Sequence, residues 1–409
     1  MKQLIATLAV IFFTMTAFGQ DFESKQFTGE DFEKTNVRVG ADFALQYQAL
    51  SHSADSSLIP LGSGINLPTA NLNLDGDIAP GIKLSLVTYL SSRHHVEAWV
   101  KGGYLLMDEL QFLNSDMIDK AMDRLTFKVG VMEVNYGDAH FRRSDNGDVI
   151  NNPFVGNYIM DAFTTAPAFE AMYRQNGWLL MGAVSSGSLK PSLAGYSGFT
   201  NSYTPYDMHE ELAYYFKGGF DKQLNDDLRL RTTVSAYLNK QHHFGSLYNG
   251  DRAGSRYYLV MKEQTGSPDD VDPASGHTSG RWGPGFTDKN HAYMANIFAQ
   301  YKGVELFGTY ETTSGTSAFS PAEYQFDQIA VEGLYRFGKN DEFYAGGRYN
   351  VVNNDGDQSA ERLQIGGGWF MTDNVMLKLE YVDQKYENFA AYGDNAGFDG
   401  LMFEAAISL

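Results

Sequence analysis

The chain has 409 residues, with 50 acidic against 31 basic side chains, a formal net charge of −19 and no cysteine. That acidic balance argues against nucleic acid as a partner, which would need a basic surface. The missing cysteine excludes disulfide staples and a cysteine-linked lipid anchor. Mean hydropathy is negative, −0.32, yet the chain carries 25 tyrosines, 28 phenylalanines and 42 glycines, more rings than a solvated polar protein requires.

The first residues, MKQLIATLAVIFFTMTAFGQ, place Lys2 before an apolar run and end on Ala17 and Gly19, small residues spaced for cleavage. The pattern predicts a signal peptide over 1–19, with Gln20 as the first mature residue. A retained membrane helix fits less well, because the run is short and the acidic stretch DFESKQFTGEDFEK follows at once. Beyond the leader no stretch approaches the ~18 to 20 consecutive apolar residues of a spanning helix.

From residue 36 onward the chain reads as a train of hairpins. Expected strands lie at 36–48, 69–77, 82–90, 95–107, 124–135, 166–175, 178–187, 209–222, 226–240, 290–301, 303–313, 323–337, 340–352, 359–371, 374–386 and 399–409. The last ones are clearest. Phe343, Ala345, Tyr349 and Val351 share one face, against Tyr344, Arg348 and Asn350. Val375, Leu377, Leu379 and Tyr381 oppose Met376, Lys378 and Glu380, and Leu401, Phe403, Ala405, Ile407 and Leu409 form one stripe. A period of two gives each strand an oily wall and a wet wall. Periodicity alone does not separate a soluble sandwich from a membrane barrel. The leader favours export, and an open sheet edge would strand backbone groups in lipid, so the barrel must close. The fold class expected is therefore all-β: a transmembrane antiparallel up-and-down β-barrel of about 16 strands, one domain over 36–409. Residues 20–35 precede it as a periplasmic segment, with the short turns on the same side. Because the first strand follows so soon, no separate N-terminal plug domain is expected.

Three segments depart from the strand rhythm. Residues 108–122 are long for a short-side turn, and the spacing of Leu113, Met117 and Met122 predicts a short helix capping the barrel floor. Residues 136–165 mix Arg142, Arg143, Asp145, Asp148 and Asp161 with the apolar Phe154, Val155, Tyr158, Ile159 and Phe163. An exposed loop has no need of those anchors, so the segment is expected to fold inward. Residues 241–289 read as a long extracellular loop, with SRYYLVMKE near 255–263 as a local ribbon inside it.

Eight strands leave an interior filled by side chains, whereas ~16 to 18 leave an aqueous channel. On the assigned faces Glu97, Lys101, Lys128, Arg229, Arg231, Arg336, Arg348, Arg362, Lys378 and Glu380 line the lumen, together with Glu332. Cations on the wall opposite carboxylates on the loop would set up a transverse field, and fixed charge biases ion choice. Equally, these residues are the polar lining every wet barrel needs. Arg142, Arg143, Asp145, Asp148 and Asp161 are the candidate constriction.

The segment FKVGVMEVNYGDAHFRRSDNG and its continuation NPFVGNYIMDAF resemble the outer-membrane porins of Gram-negative bacteria, including the phosphate-selective type. The resemblance implies passive diffusion of small hydrophilic solutes or ions, with 136–165 as the constriction loop after the fifth strand. It further implies outer-membrane lipid and lipopolysaccharide as surroundings and assembly machinery that reads the C-terminal strand. A homotrimer is common in the family, and the sequence leaves oligomeric state open. One departure is Leu409, where many such barrels end in Phe; Phe403 on the same stripe is a substitute.

Other signals count for less. The acidic turns at 145–148, 267–273 and 353–358 lack the spaced ligands and terminal Glu of an EF-hand and read as ordinary turn chemistry. His94/His95 and His242/His243 are adjacent, and neighbours on a strand point to opposite faces. No metal or cofactor is expected. A barrel hydrolase would need Ser, His and a carboxylate in one set; only His140 with Asp138, Ser144 and Asp145 comes near, without a nucleophile motif, so no enzyme is expected. A non-conducting surface or assembly protein using its long loops is the remaining alternative.

Overall fold

The computed structural model describes residues 20, 22–66, 69–91, 97–144, 149–187, 196–197, 202–203, 211–240, 247–248, 256–267, 270, 276, 278–317 and 320–409. Sixteen strands build the barrel: β1 Asn36–Ser53, β2 Thr69–Ala79, β3 Ile82–Ser91, β4 Glu97–Met107, β5 Leu125–Glu133, β6 Thr165–Gln175, β7 Trp178–Ser185 and β8 Ala213–Gln223 in the first half. The second half comprises β9 Leu228–Asn239, β10 Asn290–Tyr301, β11 Val304–Ser317, β12 Ser320–Phe337, β13 Phe343–Asn354, β14 Ser359–Thr372, β15 Val375–Glu387 and β16 Ala396–Ser408. Each expected strand has its counterpart. Every strand pairs antiparallel with its chain neighbours, and β16 closes onto β1.

Closure uses β1 twice. Its first part, Asn36–Ala44, pairs with β2, and Asp42–Ser53 pairs with β16. The seam continues past the strand, since the Ala41 and Leu409 amides each donate to the other's carbonyl at 3.3 and 2.8 Å. Turn chemistry fixes the register elsewhere. Between β6 and β7, Asn176 and Gly177 both take positive φ (52° and 89°), the backbone a two-residue hairpin needs to match strand twist.

The period of two is realised as two chemically distinct surfaces. Val234, Ile297, Leu306, Val331, Ile365, Leu379 and Leu401 point outward and are at least half exposed. An apolar belt of that kind around a closed barrel requires lipid. At the short-turn end Tyr335, Phe337, Phe343 and Trp369 stack in a row, with centroids 5.7 to 6.1 Å apart, as rings do at a headgroup layer. Their neighbours Tyr344, Arg348, Asn350, Met376, Lys378 and Glu380 face inward and are buried. The short helix appears at Asp116–Met122 between β4 and β5, with Met122 buried.

Two expectations need correction. The described part of segment 255–263, residues 256–263, is not a ribbon: it is an irregular stretch with Arg256, Leu259 and Met261 at positive φ, whose β-pairing is an isolated bridge from Glu263 to Leu58. Nor is 241–289 wholly extracellular. Leu247, Tyr248, Tyr257, Val260, Met261 and Phe286 are buried in the cluster that fills the barrel, because these apolar side chains have no other core to enter. Of residues 20–35, expected as a periplasmic segment, Gln20, Phe22 and Phe27 are buried, Gln20 and Phe22 against Phe141 and Phe298. The leader 1–19, Asp145, Asp148, the His94/His95 and His242/His243 pairs and the side chain of Glu97 lie outside the described residues.

Candidate functional site: the barrel interior

Residues 134–144 and 149–164 turn inward after β5, as their apolar anchors predict. Phe154, Val155, Ile159 and Phe163 are at most 2% exposed, and Tyr158 is buried as well. What holds the loop is mainly its own backbone, read by side chains of the opposite wall. Arg348 donates to the Gly156 carbonyl at 2.8 Å and to Asn152 Oδ1 at 3.1 Å. Lys378 donates to the Val149 carbonyl at 2.6 Å, and Glu380 accepts the Val155 amide at 2.7 Å. Asn350 accepts the Ile159 amide at 2.7 Å, while Gln328 both accepts from and donates to Met160. Buried polar groups need such partners, and here wall and loop supply them mutually.

The second inward segment lies over the first. Tyr257 donates to Glu380 at 2.6 Å and Tyr248 to Glu311 at 2.6 Å. Arg256 pairs with Glu404 at 3.2 Å, and Glu404 also pairs with Lys378 at 2.8 Å. Arg362 donates to the Gly280 carbonyl at 2.7 Å, and the Trp282 amide donates to the Ile159 carbonyl at 2.9 Å. Arg348, Arg362, Lys378 and Glu380 therefore do line the inner wall, but beneath two loops rather than beside water. Arg336 sits closer to the short-turn end, paired with Glu305 at 3.3 Å.

The expected polarity, cations on the wall and carboxylates on the loop, is reversed around Arg142. Arg142 on the loop faces carboxylates on the wall, Glu305 at 2.8 Å and Glu332 at 3.3 Å. Glu332 is completed by Arg348 at 3.0 Å and Tyr158 at 2.8 Å. Arg143 turns back within the loop: it grips Asp161 through two hydrogen bonds of 2.9 and 2.8 Å and covers the Phe163 ring at 3.9 Å. Of the candidates named from sequence, Arg142, Arg143 and Asp161 are thus brought together as anchors.

Asp138, weighed from sequence only as a neighbour of His140 in a hydrolase set, is instead a hub of ion pairs. It accepts two 2.8 Å hydrogen bonds from Arg231 and one of 2.7 Å from Thr233, with Lys217 at 3.2 Å. Burial alone would raise its pKa, but Lys217 and Arg231 outweigh it and hold the carboxyl well below the usual range. Lys217 lies on the inward stripe of β8 with Ala213 and Tyr215, so strand alternation carried the signal. Arg229 binds Asp221 through hydrogen bonds of 2.9 and 2.8 Å. His140 contacts Glu133 at 3.0 Å and Asn135 at 3.1 Å, while Ser144 is engaged by Asn152 and Asn157. No metal-holding group of His, Asp and Glu occurs among the described residues.

Open space remains on the β2–β6 side. One cavity of 380 Å³ is lined by Asp42, Asn71, Asn73, Asp75, Ser85, Lys101 and Tyr104, among others, and borders Lys128 and Glu133. A second, of 290 Å³, shares Tyr104, Lys128 and Glu133 and reaches Phe22, Glu23, Ser24 and Arg174 at the short-turn end. Lys128 lies 4.0 Å over the Tyr104 ring. The residues common to the two cavities thus include one cation on the wall, Lys128, and one carboxylate at the loop's root, Glu133.

The closed antiparallel barrel is the fold of solved outer-membrane porins and channels. Among similar structures is an anion-selective porin from Comamonas acidovorans, with a TM-score of 0.53, 10% identity and coverage of 92% of this chain and 100% of that one. The outer membrane channel DcaP of Acinetobacter baumannii gives 0.52 and 11%, covering 92% and 97%. A loop-deletion mutant of OmpT, an outer membrane protein of Vibrio cholerae, gives 0.50 and 11%, covering 92% and 99%. At such identities the likeness is one of fold. No protein-family model and no curated protein matches the chain.

Proposed function

We propose that this chain is an outer-membrane porin that conducts small hydrophilic solutes or ions passively along the β2–β6 side of its lumen, in Gram-negative bacteria. The observation that carries the reading is the pair of polar cavities sharing Tyr104, Lys128 and Glu133 beside an inward loop. The apolar outer belt supports a membrane setting, and similar structures include a porin and an outer membrane channel. In this reading the loop after β5 is a wedge that moves the route off the barrel axis, and His140 is a structural group of that wedge rather than a catalyst. Small hydrophilic solutes are the expected cargo because the cavities offer amides, hydroxyls and charges of both signs. The dense packing beneath both loops favours a narrow route over a wide one, and in the extreme a barrel that does not conduct. Purified protein in a planar bilayer is expected to give stepwise conductance; a folded barrel that never conducts would decide for the non-conducting alternative.

A further inference from the structure

Gln20 and residues 22–27 enter the short-turn mouth and fill a prepared seat. Phe22 lies edge-on to Phe141 and Phe298, with centroids at 5.7 and 5.3 Å, and the Arg231 guanidinium is 4.3 Å from its ring. Glu23 beside it accepts hydrogen bonds from both Arg231 terminal nitrogens at 2.7 and 2.8 Å, and Lys217 is 3.6 Å away. A guanidinium fork on a carboxylate is among the strongest and most directional side-chain pairs. Backbone contacts fix the approach: the Gln20 carbonyl accepts from Arg229 at 2.7 Å and the Ser24 carbonyl from Arg174 at 2.6 Å.

The charges in this seat balance only with the strap in place. Arg229, Arg231 and Lys217 face Asp138, Asp221 and Glu23. Without Glu23 one positive charge is left over, among cations whose side chains are at most 1% exposed for Arg231 and Lys217. An uncompensated buried charge is costly, so the vacated seat calls for one monoanion, with a ring-sized slot beside it. The same Phe22, Glu23 and Ser24 also line the second cavity, so a seated strap narrows the route.

We propose that Phe22 and Glu23 are the chain's own occupant of a binding site for a small monocarboxylate bearing a neighbouring ring, and that their seating constricts the periplasmic end of the route. The constriction rests on the porin reading; the binding site does not. The test uses the full chain, its Phe22→Ala/Glu23→Gln variant and the milder Glu23→Gln, with phenylacetate as probe and neutral 2-phenylethanol as control. In detergent, phenylacetate is expected to raise the unfolding midpoint of the variants by a few degrees through mass action, and that of the unsubstituted chain by less. Equal shifts with 2-phenylethanol, or none, overturn the site. In a bilayer the double variant is expected to conduct about twofold more or better, because the lining is wider, and phenylacetate near its dissociation constant to remove about half of that gain. Identical conductance of variant and unsubstituted chain overturns the constriction. Conductance by neither protein sinks the porin reading and the constriction with it, while the midpoint shifts still decide the site.

Discussion

At the scale of residues, the interior divides charges into those that hold the loops and those that face open space. Arg142 and Arg143 belong to the first kind. Removing Arg142 leaves Glu305 to Arg336 and Glu332 to Arg348 and Tyr158, each carboxylate about 1% exposed and short of one cation, and breaking such buried pairs costs on the order of 3 kcal/mol. Arg142→Ala is therefore expected to lower the unfolding midpoint and enlarge the conductance by loosening the loop. Calorimetry and single-channel recording check both effects. Lys128 and Glu133 belong to the second kind, since both line the two cavities. Lys128→Gln is expected to shift the reversal potential in a salt gradient towards cation preference, and Glu133→Gln towards anion preference. Shifts of the same sign, or none, would place the route elsewhere.

At the scale of elements, the loop after β5 is fastened at its root by Asp138 and along its length by wall side chains. The depressed Asp138 carboxyl gives this fastening a pH signature. A carboxyl whose folded pKa lies below its unfolded value stabilises fully above the latter, about 4, and loses that contribution as pH falls through the folded value. Conductance is thus expected to stay level from neutral pH to about 4 and to change only in stronger acid, whereas Asp138→Asn should bring the change to neutral pH. A change between pH 5 and 7 in the unsubstituted chain would assign the fastening to another group. Elements were legible in unequal measure. The inward course of 134–144 and 149–164 could be read from five apolar residues in a polar stretch. The inward course of 247–248, 256–263 and 278–286 could not, because SRYYLVMKE alternates like a strand and its partners, Gln48, Glu380 and Glu404, stand on strands over a hundred residues away. The strap was missed for the same reason, since nothing in DFESK announces that Arg231 awaits its glutamate.

At the scale of the whole molecule, strand number, order and facing followed from local alternation, because each hairpin's pleat fixes which side chains meet lipid. Which inward charges touch water did not follow, as it depends on loops crossing the lumen. The seam shows how tight closure is: Gly400, at φ 143°, pairs with Leu50 of β1, and a Cβ there would stand 2.3 Å from the Ala49 carbonyl oxygen. Gly400→Val is expected to abolish the heat-modifiable, compact band that a closed barrel gives in detergent electrophoresis. An unaltered band would mean that the seam tolerates a register shift. The Ser408–Asp42 side-chain contact spans 366 residues, and pairings so distant in sequence form late and slowly.

The lopsided filling of the lumen also divides the inner wall in its freedom to vary. Arg348, Arg362, Gln364 and Gln384 are cemented under loop backbone, so changing one demands a compensating change in a distant segment. Asp75 and Ser85 are half-buried and border open space, where one polar side chain replaces another with little disturbance of a fit. Among descendants of this sequence the β13–β15 interior should therefore change rarely and in concert, while the β2–β5 interior drifts one residue at a time, and on the porin reading proposed above new solute preferences would arise on that side.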